Sequence, residues 1–173
     1  KFFSSQTYWH PNKDIKNIDF QTGALGHGLP IAAGMSIFYK KKNLNNKIIV
    51  IIGDGELNEG SIWESFFIIQ QWKLKNLIVI VDRNKFQAND KTTNIIHLKN
   101  QIPILKNLGF NVLECDGHNY KDINRNFNKI NSNIPTIIFA NTIRNYGVKE
   151  IQNTKDFWYL DKNSKTIKKY FKL

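Results

Sequence analysis

The clearest hydrophobic pattern in the chain is a pair of short apolar runs separated by a helical segment. The first run, residues 48–52, consists of β-branched residues and is followed by Gly-Asp-Gly at 53–55. The second run, residues 77–81, is followed by Asp-Arg-Asn at 82–84. Parallel strands joined by a right-handed crossover bring their carboxyl ends to the same edge of a sheet. The pattern therefore predicts a strand–helix–strand unit with Asp54 and Asn84 at neighbouring strand ends.

The rest of the chain continues the alternation of helical and strand patterns. Between the two runs, the helical segment that begins at Glu59 is apolar around most of its circumference, which predicts burial on more than one side. Residues 1–20 and 87–101 are polar and predict loops. The order of elements predicts an α/β fold, doubly wound, with a mainly parallel sheet and helices on both faces. The remaining predicted elements are helices over 29–39, 102–108 and 120–130 and strands over 110–114 and 136–140.

Composition narrows the class of protein. A chain of 173 residues with 41% hydrophobic content suits one folded domain. The net charge is +11, but the lysines are scattered except at 40–42 and in the tail after 162, and Ile, Asn and Lys are abundant together. This favours an AT-rich coding bias over a nucleic-acid-binding surface. We therefore expect no nucleic acid partner, although anionic substrates would still be attracted.

The cysteine content and the lengths of the apolar runs indicate in which cellular compartment the protein is expected. Cys115 cannot form an intrachain disulfide, and its position predicts a small buried hydrophobe near a strand end. No apolar run approaches the roughly 18 residues that a membrane span needs, and no signal-peptide pattern opens the sequence. The sequence predicts a cytoplasmic protein without a membrane partner.

Oxygen donors follow both strands of the first unit. Asp54 offers a charged oxygen, Asn84 a neutral one, and the backbone carbonyl of Phe86 a third. Magnesium prefers about six oxygens at roughly 2.0–2.1 Å and keeps water and phosphates in its shell, so three protein ligands leave room for a diphosphate. Gly53 and Gly55 let the backbone approach that diphosphate. The alternative is a Gly-Asp-Gly that only closes a strand.

Two further segments carry candidate site residues. The glycines at 23, 26 and 28 precede a helix, a pattern that fits either a ligand loop or simple close packing. Glu59 and Glu64 lie in an apolar helix and need partners, although Glu59 also suits a helix N-terminus on dipole grounds alone. His10 precedes a proline and is either a site residue or an exposed loop histidine.

Several motifs keep the order and spacing found in one family. They are GDGELNEG at 53–60, with an asparagine 30 residues after Asp54; WE at 63–64; DRN-x-x-Q at 82–87; HP at 10–11; TGALGHG at 22–28; and the segment 135–147. Together they resemble the thiamine diphosphate motif and its surroundings in transketolases. The resemblance covers most of the chain and implies the thiamine diphosphate-binding fold.

The resemblance assigns expected roles to individual residues. Thiamine diphosphate and magnesium are the implied cofactors, and the implied metal ligands are Asp54, Asn84 and the Phe86 carbonyl. His10 is implied to lie near substrate hydroxyls, and Glu59 and Glu64 are implied to couple cofactor sites across a subunit interface. The matching Asp-Gly-His at 116–118 carries a histidine that we expect to be structural. The implied cofactor-binding residues are Gly23, Leu25, Asp54, Gly55, Glu59, Asn84 and Tyr159.

The resemblance also implies an incomplete active site. In this family a glutamate beside the cofactor comes from a pyrimidine-binding domain, and residues 1–173 predict one diphosphate-binding domain that lacks this domain and the family's extreme N-terminal segment. We therefore expect a split transketolase-like enzyme that transfers a two-carbon ketol unit between sugar phosphates. The partner chain would carry the missing domain, in a homo-dimer or a hetero-tetramer.

Alternative functions follow from the departures from the family pattern. Trp9 replaces a glycine before His10, Tyr159 stands where the family has the histidine of Trp-His-Gly, and Asn141 and Asn145 replace a lysine and a glycine of K-T-x-K-G-x-G. These changes also fit a degenerate, non-catalytic subunit that serves cofactor binding or assembly. The other alternative, an enzyme of a related ketose or aminosugar pathway, stays open because the residues that recognise the acceptor would largely lie on the partner.

Overall fold

Four of the apolar segments form one parallel sheet. The computed structural model describes residues 10, 12–88, 90–131, 133–149 and 151–154. The sheet order is β1-β2-β6-β5, and β3 and β4 form a small antiparallel pair. The strands are β1 (Ile48–Gly53), β2 (Leu77–Arg83), β3 (Phe86–Gln87), β4 (Asp90–Lys91), β5 (Asn111–Asp116) and β6 (Thr136–Asn141).

Helices connect these strands on both faces of the sheet, as predicted. The helices are α1 (Gly28–Lys41), α2 (Gly60–Gln71), α3 (Thr92–Ile95), α4 (Gln101–Asn107) and α5 (Tyr120–Phe127), with a 3₁₀ helix at Asp54–Asn58. One face of the sheet packs against α1, α2 and α4 through residues such as Leu29, Phe66 and Leu105. The other face packs against α5, where Ile78, Cys115 and Ile138 form the centre of a second, smaller cluster.

The structure departs from the predicted elements in the segment 87–101. The polar pattern predicts a loop here, yet β3 and β4 pair through Phe86 with Lys91 and Gln87 with Asp90, and the one-turn helix α3 follows. Two-residue strands and a single helical turn are too short to produce a hydrophobic period, which is why the sequence pattern does not reveal them.

Strand β1 lies at an edge of the described sheet and is only half covered. Its residues Ile48, Val50 and Ile52 face the larger core, while Ile49 and Ile51 on the opposite face are 54% and 70% exposed. Helix α5 packs mainly against β5, at the opposite edge of the sheet. None of the helices in the described part of the chain is both long and apolar enough to cross a membrane.

Candidate functional site

The carboxyl ends of β1 and β2 lie side by side. The two strands pair in parallel with Gly53 beside Asp82, so the residues that follow each strand meet at the same edge of the sheet. The Asp54 carboxylate accepts a hydrogen bond from the backbone N–H of Lys85, with a distance of 2.6 Å to Oδ2. The strand pattern therefore predicted this meeting correctly: Asp54 contacts the residue directly after Asn84.

Asp54 carries a buried carboxylate, and only one of its two oxygens has a hydrogen-bond partner in the described residues. Its residue is 5% exposed, and Oδ1 has no hydrogen-bond partner within the described residues. Burial raises the pKa of Asp54 from 3.8 to about 6, with a further rise from the charge of Asp82, while the Lys85 N–H opposes the shift. A buried anionic oxygen without a donor is costly unless a cation neutralises it. The carboxylate thus fits a hard divalent cation such as magnesium.

Asp82 fixes the orientation of the Asn84 side chain. Asn84 Nδ2 donates to Asp82 Oδ2 at 3.0 Å, and Thr142 Oγ1 donates to the other oxygen of the same carboxylate. Asn84 Oδ1 accepts from the backbone N–H of Phe86 at 2.9 Å. An amide oxygen has two lone pairs, so one remains for a metal. Asp82, itself bonded by Thr142, therefore orients the Asn84 amide with one oxygen lone pair available.

The residue that carries the third predicted oxygen donor is bonded to Asn84, because the Phe86 N–H donates to Asn84 Oδ1. Phe86 begins β3, is 8% exposed and has the Arg144 guanidinium 5.2 Å from its ring centroid. No cluster of three or more His, Cys, Asp or Glu side chains in the described part of the chain could hold a metal. A metal at this edge would depend on Asp54 together with neutral oxygens, as the predicted set requires.

The glycine-rich loop at residues 23–28 packs against the start of α2. Gly26 has a φ of +77°, and a Cβ built there would lie 2.7 Å from Ser61 Oγ. Its N–H donates to Glu56 Oε1 and its carbonyl accepts from Ser61 Oγ, both at 2.9 Å. A Cβ on Gly55 would lie 2.9 Å from the Cβ of Gln87. Both glycines are needed for close packing, whatever their role toward a ligand, and for the glycine-rich loop this is the alternative that the sequence left open.

His10 and Leu25 lie at the same glycine-rich loop. The His10 ring is 3.5 Å from a Cβ built on Gly23, so the structure brings these two predicted residues together. His10 is exposed, and Leu25 is 50% exposed with its carbonyl bound by the His27 ring. Both side chains are accessible to a ligand.

The two predicted interface glutamates lie on different parts of α2. Glu59 is the N-cap of the helix, where its Cβ is 2.9 Å from the Cβ position of Gly26, whereas Glu64 is exposed on the helix surface. In the single chain α2 is buried on one side only, which corrects the expectation of wider burial. Phe66 is fully buried, but Phe67 is 56% exposed. The other exposed apolar side chains of this outer surface are Ile68 and Trp72.

His118, for which a structural role is predicted, connects the end of β5 to the segment after β6. Its Nε2 accepts a hydrogen bond from the backbone N–H of Ile143 at 2.8 Å, and its ring stacks on Tyr146 with centroids 3.9 Å apart. Asn141, at the family's lysine position, bonds Arg83 Nε and the Cys115 carbonyl. Tyr159 lies outside the described residues.

Sequence reasoning missed Glu56. Its two carboxylate oxygens bind the N–H groups of Gly26 and Gly53, at 2.9 and 2.8 Å. A glutamate three residues after the residue that precedes a helix is the signature of a capping box, and that spacing could have identified the bond to Gly53. The bond to Gly26, 30 residues away, has no local signal.

Comparison with known proteins gives a consistent result. Residues 1–159 match the family model described as "Transketolase, thiamine diphosphate binding domain". The chain is 37% identical over 150 residues to one subunit of the apulose-4-phosphate transketolase of Actinobacillus succinogenes, covering 86% of this chain and 54% of the relative. It is 36% identical over 132 residues to the 6-deoxy-6-sulfo-D-fructose transketolase subunit SqwG of Clostridium sp., covering 75% and 48%. The chain thus spans about half the length of these relatives.

The fold matches a solved structure from the same group. The transketolase of Campylobacter jejuni superposes with a TM-score of 0.75 at 29% identity, over 80% of this chain and 23% of that one. The shared part includes a parallel sheet with helices on both faces, which agrees with the predicted fold class.

Proposed function

The chain belongs to the transketolase family, with a thiamine diphosphate-binding domain, and we propose that it is the diphosphate-binding subunit of a split transketolase-like enzyme. The proposed reaction is transfer of a two-carbon ketol unit between sugar phosphates. Two relatives that it resembles are named as subunits of transketolases, and the chain spans about half of each. The observation that carries the proposal is the buried Asp54 carboxylate, which has one oxygen without a hydrogen-bond partner among the described residues and contacts the residue directly after Asn84.

The proposed cofactor site is built from both strand ends and the glycine-rich loop. Asp54, Asn84 and the Phe86 carbonyl would hold magnesium, and Gly55 would lie against the diphosphate. When bound, thiamine diphosphate supplies a nucleophilic carbon and stores the electrons of the broken bond. Gly23 and Leu25 would contact the ring end of the cofactor, Tyr159 would contact the diphosphate, and the accessible His10 would bind substrate hydroxyls.

The proposed assembly uses the outer surface of α2. Glu64 and the exposed side chains of Phe67, Ile68 and Trp72 form a mixed apolar and acidic surface that water would cover in a single chain. Burying such a surface in an oligomer would remove apolar area from water and would give the carboxylates of Glu59 and Glu64 access to hydrogen-bond partners. We place the partner chain, with the pyrimidine-binding domain, in this assembly, which would be a homo-dimer or a hetero-tetramer.

A binding experiment followed by reconstitution tests the function. Calorimetric titration of the full chain with thiamine diphosphate should give a saturable isotherm with magnesium and none with a chelator. Adding a partner chain that carries a pyrimidine-binding domain should then produce ketol transfer among a panel of sugar phosphates. Cofactor binding without transfer for any donor and acceptor pair would favour the non-catalytic alternative, and no binding with magnesium present would refute the proposal.

The assembly surface has a test of its own. Phe67→Asp places a charge in the proposed interface, where burial without a partner is costly, so it should lower the molar mass measured by light scattering. Phe38→Asp on α1 is the matched control, because Phe38 is 53% exposed and lies on another helix. Equal molar masses for both variants and the unmodified chain would exclude the outer surface of α2 from the assembly.

A further inference from the structure

Glu56 connects two parts of the candidate site that lie far apart in the sequence. Its Oε1 accepts the N–H of Gly26 in the glycine-rich loop, and its Oε2 accepts the N–H of Gly53, the first residue of the Gly-Asp-Gly turn. The distances of 2.9 and 2.8 Å are those of well-formed hydrogen bonds. One half-buried carboxylate therefore holds both glycine segments.

The packing around Gly26 leaves the loop little freedom. The Gly26 carbonyl is bound by Ser61 Oγ, so both backbone polar groups of this residue are bonded to side chains that follow the Gly-Asp-Gly turn. A Cβ at Gly26 would lie 2.9 Å from the Cβ of Glu59, which shows how closely the loop approaches the chain there. Gly26 is itself buried.

Glu56 has a chemistry that suits this task. An ionised carboxylate is a two-oxygen acceptor without a proton to donate, so it can accept two N–H groups at once. Hydrogen bonds from backbone N–H groups to a charged acceptor are also stronger than neutral ones. A glutamine of the same size would offer one oxygen and would turn an NH₂ group toward the second N–H.

We propose that Glu56 is a positioning residue: its carboxylate joins the glycine-rich loop to the Gly-Asp-Gly turn and sets their separation before the cofactor binds. The role toward the cofactor rests on the proposed function. The link between the two glycine segments does not, because both bonds are made entirely by groups of this chain.

Amide hydrogen exchange in the cofactor-free full chain tests the link directly. In Glu56→Gln, the amide of Gly26 or Gly53 should exchange about tenfold faster or more, because a buried donor has lost its acceptor. Core amides such as those of Val79 and Ile137 should keep their protection, which also verifies that the variant is folded. Asp14→Asn, at an exposed carboxylate, is the charge-matched control. Unchanged exchange at both glycines would overturn the proposal.

Calorimetry with magnesium and thiamine diphosphate tests the positioning role. Glu56→Gln should weaken cofactor binding about tenfold or more, within the range typical of outer-shell groups. Glu56→Asp keeps both oxygens on a shorter side chain and should recover part of the affinity. Glu56→Gln could also bind the cofactor with the affinity of the unmodified chain although its glycine amides exchange faster. In that case the link is only structural, and the positioning role is overturned. If the unmodified chain binds no cofactor, the proposed function fails, and the exchange result still decides the link.

Discussion

The carboxyl ends of β1 and β5, the two edge strands of the parallel sheet, each carry an Asp-Gly pair, but the two aspartates have different surroundings. After β1, Asp54 is buried and keeps one oxygen without a partner in the described residues. At the last position of β5, Asp116 is exposed, and its Oδ1 accepts the N–H of His118. His118 in turn accepts from Ile143. The first strand end thus contains a buried carboxylate oxygen without a hydrogen-bond partner in the described residues. At the second strand end, hydrogen bonds connect two loops.

The difference shows what distinguishes a binding turn from a structural one. An Asp-Gly after a parallel strand occurs at both ends, so the dipeptide alone does not identify a site. What marks the proposed site is a buried carboxylate whose neighbours in the described residues satisfy only part of its hydrogen-bonding capacity. Three experiments test this comparison, from the largest expected effect to the smallest.

The largest effect is expected for removal of the Asp54 carboxylate. In Asp54→Ala the only charged ligand of the proposed metal is lost, which costs about 3–5 kcal/mol, or on the order of 1,000-fold in affinity. Asp116→Ala should leave the affinity for magnesium and thiamine diphosphate unchanged. Calorimetric titration of both variants measures this, and equal losses would contradict the distinction between the two turns.

A smaller effect concerns the stability of the metal-free chain. Burial raises the pKa of Asp54 from 3.8 to about 6, so the folded state binds this proton more tightly than the unfolded state. The resulting stabilisation is complete below pH 3.8 and is lost as the pH rises through about 6. Relative to Asp54→Asn, the unmodified chain should therefore lose about 3 kcal/mol of unfolding free energy between roughly pH 3.5 and 7.5.

Urea unfolding in the presence of a chelator measures this difference. Because other carboxyl groups titrate in both proteins, the comparison with Asp54→Asn isolates the contribution of one side chain. Magnesium added at about pH 7.5, where the carboxylate is ionised, should restore stability to the unmodified chain and not to the variant. A difference that does not change with pH would show that the Asp54 carboxylate is adequately solvated.

The smallest effect is expected at the second strand end. His118→Phe keeps a ring to stack on Tyr146 but removes the acceptor for the Ile143 N–H, which should cost about 1 kcal/mol in unfolding free energy. His97→Phe, at an exposed histidine, is the control and should have little effect. A change in cofactor affinity in His118→Phe would indicate that this end also contributes to binding.

The sequence predicts those parts of the candidate site that depend on elements close together in the chain. The β1–α2–β2 unit is local, so the meeting of Asp54 and the residue after Asn84 follows from strand direction alone. The insertion of β6 between β2 and β5 depends on long-range pairing, which no local pattern contains. Glu56 escapes prediction for the same reason, because its bond to Gly26 spans 30 residues.

The exposure of α2 departs from expectation for a different reason. The apolar character of Phe67 and Trp72 predicts burial but does not say whether the covering group lies in the same chain. In the structure Phe66 is fully buried and its neighbour Phe67 is 56% exposed. The hydrophobic pattern thus identifies side chains that favour burial. Only the folded chain shows which of them lie in the core and which remain exposed for a proposed interface.

The half-covered strand β1 affects the solubility of the isolated chain. Its outer edge pairs with no other strand in the described residues, and the uncharged run of residues 48–52 exposes Ile49 and Ile51. An edge of this kind favours intermolecular strand pairing. The net charge of +11, scattered over many lysines, opposes that association by mutual repulsion. Since about 0.15 M salt screens charges beyond roughly 8 Å, the isolated chain should be less soluble at high ionic strength than at low.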